Sequence, residues 1–250
     1  GRKRAGQGDE FWQYRAAHAG DSARAIDWRR SARADTPFVR EREWQAAQSV
    51  TLWVDPSRSM TFTGDSSRPS KATRARILAL ALGILMLKGG ERVGLAGQAP
   101  RPGRAQVMAL ANGLSDSAED YGLPDATGLV PQGRAVFLSD FLGPLDGLET
   151  ALAFAADRGV RGVLIHLLDP TEEEFPFTGR TIFDSMGATI SHETQSAAAL
   201  RDRYLARLAE RKERLATLAR AVGWQYACHH TGHPAQTALL WAYQALEGGR

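Results

Sequence analysis

The chain has 250 residues, 43% hydrophobic and 24% charged, a composition typical of a globular protein. A single cysteine, Cys228, excludes an intramolecular disulfide and favours a reducing compartment, so we expect a cytoplasmic protein. The longest aliphatic run, residues 77–87, is too short to span a bilayer. The net charge of +3 comes from residues 1–45, where ten Lys and Arg accompany seven Asp and Glu. Because the two signs are interleaved there, we expect no nucleic-acid binding.

Residues 1–45 are rich in charged and aromatic side chains and lack a sustained helical or strand period. We predict an N-terminal arm that packs on a main domain formed by residues 46–250. The apolar side chains that would anchor this arm are those of Phe11, Trp12, Ile26 and Trp28. We expect Trp28 to be buried, and Asp27 to pair with an arginine or to cap backbone N–H groups.

From residue 46 onward, short apolar strands alternate with helical segments, which predicts an α/β fold with a doubly wound, mostly parallel sheet. The predicted strands are residues 50–54, 92–96, 135–139, 160–168 and 225–228. The predicted helices are residues 71–87, 145–156, 194–222 and 235–246. Residues 172–192 are predicted to form a small β-rich insertion, with short β-like pieces near 181–183 and 188–190.

The first predicted strand of the main domain is followed at once by Asp55, Ser57 and Ser59. This spacing places one carboxylate and two hydroxyls at the carboxyl end of a strand, where open α/β sheets bind ligands. Such hard oxygen atoms suit an ion of the Mg²⁺ type. The motif resembles the metal-ion-dependent adhesion site of von Willebrand factor A domains. The alternative is a loop in which Ser and Asp only cap the following helix.

A second acid, Asp140, follows the strand at 135–139 and is predicted to lie on the same rim of the sheet. It comes several residues too early to cap the helix that starts at 145. Thr127 is the best candidate for the threonine that a second loop of an adhesion site contributes, although its surroundings lack the usual Gly-Thr setting. We therefore expect Asp55, Ser57, Ser59, Thr127 and Asp140 to bind Mg²⁺ or Mn²⁺ weakly or not at all.

Signatures of common enzyme classes are missing from the sequence, including the phosphate loop, the dinucleotide fingerprint and the nucleophile elbow. A phosphotransferase of the haloacid dehalogenase type needs a second aspartate two residues after the first, and Ser57 stands there. The run Cys228, His229, His230 with His233 lacks the spacing of a zinc site and is interpreted as a polar turn.

Motifs in both parts of the chain resemble a bacterial family of uncharacterised domains that is usually encoded beside MoxR-type AAA+ ATPases. These are Gly8-Asp9-Glu10-Phe11, Gly20-Asp21, Arg24-Ala25-Ile26-Asp27-Trp28, Ser31-Ala32-Arg33 and Asp55-x-Ser57-x-Ser59-Met60, with looser likeness at Asp169-Pro170, Glu172 and Phe175-Pro176-Phe177. The resemblance implies a von Willebrand A-like domain and a partnership with the ATPase in assembling or activating client proteins.

Together these observations favour a non-enzymatic binding module that uses a MoxR-type ATPase and a client protein as partners. Asp55, Ser57, Ser59 and Asp140 would form the partner-binding rim. As exposed loop residues, Asp55 and Ser57 would be replaceable by Ala without loss of the fold. The rival interpretation is a small metal-dependent phosphohydrolase that uses Asp55 and Asp140.

Overall fold

The computed structural model describes residues 4–6, 10–18, 20–33, 36–44, 47–177, 181–184, 191–194 and 198–248. The chain divides into two compact units, Gly1–Ala47 and Gln48–Arg250.

The N-terminal unit contains a three-stranded antiparallel sheet, with its strands in the order β1-β3-β2. These strands are β1 (Arg4–Gly6), β2 (Glu10–Ala16) and β3 (Phe38–Trp44), and a short helix α1 (Trp28–Ser31) precedes the third. The sequence did not predict this sheet, because its central strand, FVREREW, is mostly charged and has no apolar face of its own.

The structure confirms the expected role of Asp27 but not the expected burial of its neighbour Trp28. Asp27 caps α1, and its Oδ1 accepts a hydrogen bond of 3.0 Å from the Arg30 backbone N–H, as expected. The expected burial of Trp28 is wrong, because 63% of this residue is exposed. Ile26 is half-buried and bridges to Val39, whereas the side chains of Phe11 and Trp12 lie outside the part of the chain that the structure describes.

The larger unit is built on a five-stranded parallel sheet in the order β10-β7-β6-β4-β5, which confirms the predicted doubly wound α/β fold. The strands of this unit are β4 (Ser49–Val54), β5 (Arg92–Leu95), β6 (Arg134–Ser139), β7 (Arg161–Leu168), β8 (Thr181–Asp184), β9 (Ser191–Thr194) and β10 (Gln225–His230). The helices are α2 (Lys71–Lys88), α3 (Ala105–Gly113), α4 (Asp146–Asp157), α5 (Pro170–Glu174), α6 (Ala198–Ala221) and α7 (Ala235–Glu247).

Alternate residues of each central strand enter separate hydrophobic clusters on the two faces of the sheet. On one face, Val136 and Leu138 of β6 pack in a cluster that includes residues of α2 and α7. On the other face, Ala135 and Phe137 pack in a cluster that includes residues of α4 and α6. The strands are therefore covered on both sides, and their carboxyl ends all meet at one edge.

The region after β7 differs in detail from the predicted insertion. A short helix, α5, comes first, and the hairpin that follows pairs β8 with β9 in the register Thr181↔Thr194. The predicted β-like piece at 188–190 lies outside the described residues. Among the helices that the structure describes, none is long and apolar enough to cross a membrane.

Candidate functional site at the carboxyl edge of the sheet

The structure brings Asp55 and Asp140 to the same edge of the sheet. Their strands, β4 and β6, are parallel neighbours, with Val54 opposite Leu138. The Asp55 backbone N–H donates to the Leu138 carbonyl at 2.9 Å, which continues the strand pairing into the loop. The two acids therefore leave the sheet side by side, as parallel strands require.

The Asp55 carboxylate is bound by its own loop and by the neighbouring strand. Its Oδ1 accepts a hydrogen bond of 2.9 Å from the Ser57 N–H, and its Oδ2 accepts one of 2.6 Å from the Ser139 hydroxyl. The hydroxyls of Ser57 and Ser59 are 3.1 Å apart. Burial raises the pKa of Asp55, and the hydrogen bonds from Ser139 and Ser57 counteract that rise.

A loop formed by residues 116–122 covers this carboxylate. The Arg58 and Ser59 N–H groups donate to the Glu119 and Asp120 carbonyls at 2.9 and 3.1 Å. A Cβ atom at Gly122 would lie 2.2 Å from Asp55 Oδ1, so only glycine fits at this position. The cavity left beside Asp55 has a volume of about 10 Å³. That is room for about one water molecule.

Asp140 is paired with a lysine that the sequence interpretation missed. Lys71 Nζ lies 2.8 Å from Asp140 Oδ2 and 2.5 Å from Glu172 Oε1. The Lys71 and Asp140 side chains are each only 1% exposed. Burial on its own would lower the pKa of Lys71, but the charges of Asp140 and Glu172 outweigh it and raise that pKa. A protonated ammonium group therefore lies at the edge of the sheet.

One signal in the sequence could have identified Lys71. It is the first residue of α2, directly after the N-cap Ser70. A cation there is unfavourable with the helix dipole, and residues 77–87 of the same helix are apolar. A lysine in such a position is a candidate for an acid partner, which the structure identifies as Asp140.

The third strand end, after β7, also carries a buried acid. Asp169 caps α5 and forms a capping box with Glu172, whose Oε2 accepts from the Asp169 N–H at 2.8 Å. The Thr231 hydroxyl, directly after β10, donates to Asp169 Oδ2 at 3.1 Å. Glu172 therefore joins the Asp169 network to the Lys71 and Asp140 pair.

Thr127 is not brought to this network by any contact in the described part of the chain. Its hydroxyl and its backbone N–H both bind Asp125 Oδ1, at 2.6 and 2.9 Å, and its side chain is exposed. The other four predicted residues do come together, but they are not exposed. Asp55, Ser57, Ser59 and Asp140 are at most 3% exposed, so the expectation that they are exposed is wrong.

The arrangement does not fit a divalent ion at Asp140. Both Asp55 oxygens are bound by protein donors, and the two Asp140 oxygens accept from Lys71 Nζ and the Leu142 N–H. An ion at Asp140 would face the Lys71 ammonium group at close range. Within the described residues, no cluster of three or more His, Cys, Asp or Glu side chains could hold a metal. The ammonium group supplies the positive charge that such an ion would bring.

Cys228, His229 and His230 belong to β10 and not to a polar turn as predicted, and the turn starts only at Thr231. The end of β10 and this turn form a separate network around Arg74. The Arg74 guanidinium lies 2.8 Å from His229 Nε2 and donates to the Thr231 carbonyl at 2.9 Å. Burial, followed by the charge of Arg74, lowers the pKa of His229 to about 4. The His230 and His233 rings stack on each other with their centroids 3.6 Å apart.

The fold and the site define an α/β domain whose strand ends carry buried acids paired within the protein. The chain belongs to the family described as "Protein of unknown function DUF58", which matches residues 13–214. It is similar to "Uncharacterized protein Rv1480" of Mycobacterium tuberculosis (strain ATCC 25618 / H37Rv) and "Uncharacterized protein Mb1516" of Mycobacterium bovis. Each is 28% identical over 236 residues, covering 87% of this chain and 73% of the relative.

Two solved structures are also similar to this chain. One is an aerotolerance-related membrane protein from Bacteroides fragilis NCTC 9343, at 16% identity and a TM-score of 0.46. The other is the conserved hypothetical protein BatB from Bacteroides thetaiotaomicron, at 13% identity and a TM-score of 0.44. Both alignments cover 81% of this chain and 100% of the solved chain.

Proposed function

We propose that this chain is a non-enzymatic protein-binding module that works with a MoxR-type AAA+ ATPase on client proteins. The observation that carries the proposal is the internal pairing of the edge acids. Asp55 is bound by Ser57 and Ser139, and Asp140 is bound by Lys71. Side chains satisfied in this way hold the surrounding loops in one shape, which suits recognition better than turnover.

The rival function, phosphate-ester hydrolysis, finds little support in this geometry. A nucleophilic carboxylate has to reach the phosphorus atom, whereas Asp55 lies beneath Gly122 and next to a cavity of about 10 Å³. Ser57 occupies the position of the acid/base partner and is hydrogen-bonded to Ser59. We therefore expect no turnover of p-nitrophenyl phosphate with Mg²⁺ or Mn²⁺. Turnover that Asp55→Asn abolishes would favour the hydrolase.

The motif that resembles a von Willebrand adhesion site supports a contact at this edge, but without a metal ion between the partners. Lys71 would supply the positive charge, and Asp55, Ser57, Ser59 and Asp140 would act by positioning the loops. The contact surface itself would be the exposed part of the covering loop. There Tyr121 and the adjacent Leu123 are 41% and 64% exposed, and both are large apolar side chains.

Capture of the ATPase on the immobilised chain, with ATP, with ADP and without nucleotide, tests this function. The double variant Tyr121→Ala with Leu123→Ala should weaken capture about tenfold, the size expected for truncated anchor residues. Met108→Ala with Leu240→Ala is the matched control, because these apolar residues are 63% and 59% exposed but lie on α3 and α7, outside the covering loop. Equal capture by the two double variants would contradict a contact through this loop. Capture independent of nucleotide would contradict a role in the ATPase cycle.

A further inference from the structure

A groove with a volume of about 660 Å³ runs between α6 and the segment around α5. This volume lies within the range of pockets that bind small ligands or a few side chains of a peptide. The side chains that carry the argument are those of Phe62, Phe175, Phe177, Arg203, Tyr204 and Arg207.

The floor of the groove is aromatic and held in place. Phe175 is 6% exposed, and its ring centroid lies 4.8 Å from that of Tyr204 and 5.2 Å from that of Phe177. Phe175 ends α5 in the left-handed conformation, with φ of 45°. A bulky residue adopts that conformation only when its surroundings hold it there. The aromatic rings that line the groove are therefore packed against one another.

Arg203 and Arg207 lie one helical turn apart along α6, on the edge of this groove. Both are exposed, and neither has a hydrogen-bond or ion-pair partner among the residues that the structure describes. Other arginines of the same helix do have acceptors. Arg211 donates to the Phe141 and Gly143 carbonyls, Arg214 to Glu149 and Arg220 to Glu213. Arg203 and Arg207, which line the groove, therefore present guanidinium groups that no described protein acceptor holds.

An acid, Glu172, also lines the groove, and it shares the Lys71 ammonium group with Asp140. Glu172 Oε1 binds Lys71 Nζ, and its Oε2 accepts from the Asp169 N–H. Arg203 and Arg207 add two positive charges at the exposed edge, against the single negative charge that Lys71 leaves on the Asp140 and Glu172 pair, and they lie beside an aromatic floor. This combination is complementary to a ligand that carries apolar groups next to carboxylates.

We propose that the groove binds a short segment of a partner protein in which Phe or Leu alternates with Asp or Glu. The apolar side chains would pack on Phe175 and Tyr204, and the carboxylates would pair with Arg203 and Arg207. This inference rests on the proposed protein-binding function and names the chemistry of one partner segment. It also places the segment against Glu172, the residue that joins the groove to Lys71.

The experiment measures fluorescence anisotropy of labelled tetrapeptides on the full chain. The probe is Glu-Phe-Glu-Leu, and its control is Gln-Phe-Gln-Leu. Arg203→Gln with Arg207→Gln should weaken binding of the acidic peptide about tenfold, the sum expected for two exposed charge pairs. Arg214→Gln with Arg220→Gln removes the same charge from the same helix and should leave binding unchanged. The acidic peptide should also bind more weakly at high salt.

A third probe is naphthoate, a small aromatic carboxylate. Three results would overturn the inference: equal affinity for the two peptides, equal loss of peptide affinity in the two double variants, or tighter binding of naphthoate than of the acidic peptide. The last result would assign the groove to a small carboxylate. Capture of the ATPase by the same variants separates this inference from the proposed function. Peptide binding without any ATPase capture would retain the groove and reject the ATPase partnership. ATPase capture without peptide binding would retain the ATPase partnership and reject the groove as a peptide site.

Discussion

Lys71 Nζ lies 2.8 Å from Asp140 Oδ2 at a point where both side chains are 1% exposed. A von Willebrand adhesion site would use the acid at this strand end to hold a metal ion. Here the first residue of α2 reaches the acid and brings a fixed positive charge. The pair is completed by Glu172, so one cation lies between two carboxylates.

Replacement of Lys71 by Met should lower the free energy of unfolding by about 3–5 kcal/mol, because it leaves two buried carboxylates without a counter-charge. Urea denaturation monitored by circular dichroism measures the change. Lys88→Met is the matched control, since Lys88 is the exposed last residue of the same helix. Equal midpoints for the two variants would show that the buried pair contributes nothing to stability.

If the ammonium group replaces a metal ion, its removal should create a dependence on divalent cations. The native protein should melt at the same temperature with and without millimolar Mg²⁺ or Mn²⁺. The Lys71→Ser variant should have a lower melting temperature than the native protein when no divalent ion is present. Adding Mg²⁺ or Mn²⁺ should raise that temperature, because Asp140 and Glu172 can then share the ion. An ion at a concentration 100-fold above its Kd would restore about 2.7 kcal/mol. If the ions instead raised the melting temperature of the native protein, and Asp55→Asn abolished that rise, the result would indicate a metal site around Asp55.

The strands of the parallel sheet could be predicted because each is a short apolar run bounded by turn residues, whereas α3 and α5 were not predicted. Residues 50–54 and 135–139 were predicted as strands, and β4 and β6 each begin only one residue earlier. The meeting of Asp55 and Asp140 followed from the parallel topology alone. In contrast, the sheet of the N-terminal unit depends on long-range pairs such as Arg4↔Trp44, which no local period reveals.

The parts of the site that the sequence did not predict depend on the direction of single side chains and loops. The pair of Lys71 with Asp140 joins residues 69 positions apart, and the position of Lys71 in α2 does not say which acid it meets. The covering loop has no secondary structure, so nothing local indicated that its backbone would pack on Ser59. For the same reason Thr127 looked like a site residue, although its hydroxyl forms a local turn with Asp125.

His166 should make the protein less stable in acid. Its ring is fully buried, its Nδ1 lies 2.8 Å from the Tyr226 hydroxyl, and burial lowers its pKa to about 3. Below the ordinary histidine pKa of about 6.5, the unfolded chain gains a proton there that the folded chain does not bind. Stability should therefore fall as the pH drops from 6.5 towards 3, by up to about 1.4 kcal/mol per pH unit.

Denaturation midpoints between pH 7 and pH 5 measure this slope. His166→Phe should flatten it, even if the variant is less stable at pH 7 through loss of the Tyr226 hydrogen bond. His229, whose pKa is lowered to about 4, adds to the slope in the same direction. It should account for part of the pH dependence that remains in His166→Phe. His18→Phe, at an exposed position, is the control. A slope that is the same in native protein and His166→Phe would exclude His166 as its source.

Gly122→Ala tests the covering loop, because its Cβ would lie 2.2 Å from Asp55 Oδ1. Either the loop or the carboxylate has to move, and both are fixed by hydrogen bonds to residues 55–59 and Ser139. We expect a loss of about 1–3 kcal/mol in the free energy of unfolding, as for other overpacked sites. Gly89→Ala is the control, since its Cβ would meet nothing closer than a carbonyl oxygen at 3.4 Å.

The same glycine variant separates the loop from the ligand groove. If the loop carries the proposed ATPase contact, Gly122→Ala should weaken ATPase capture while the acidic peptide still binds beside Arg203 and Arg207. Capture is measured at a temperature where circular dichroism shows that the variant is folded. A variant that is destabilised but captures the ATPase as well as Gly89→Ala does would show that Gly122 serves the fold alone. The ATPase contact would then have to lie elsewhere, and the aromatic groove along α6 is the surface to test next.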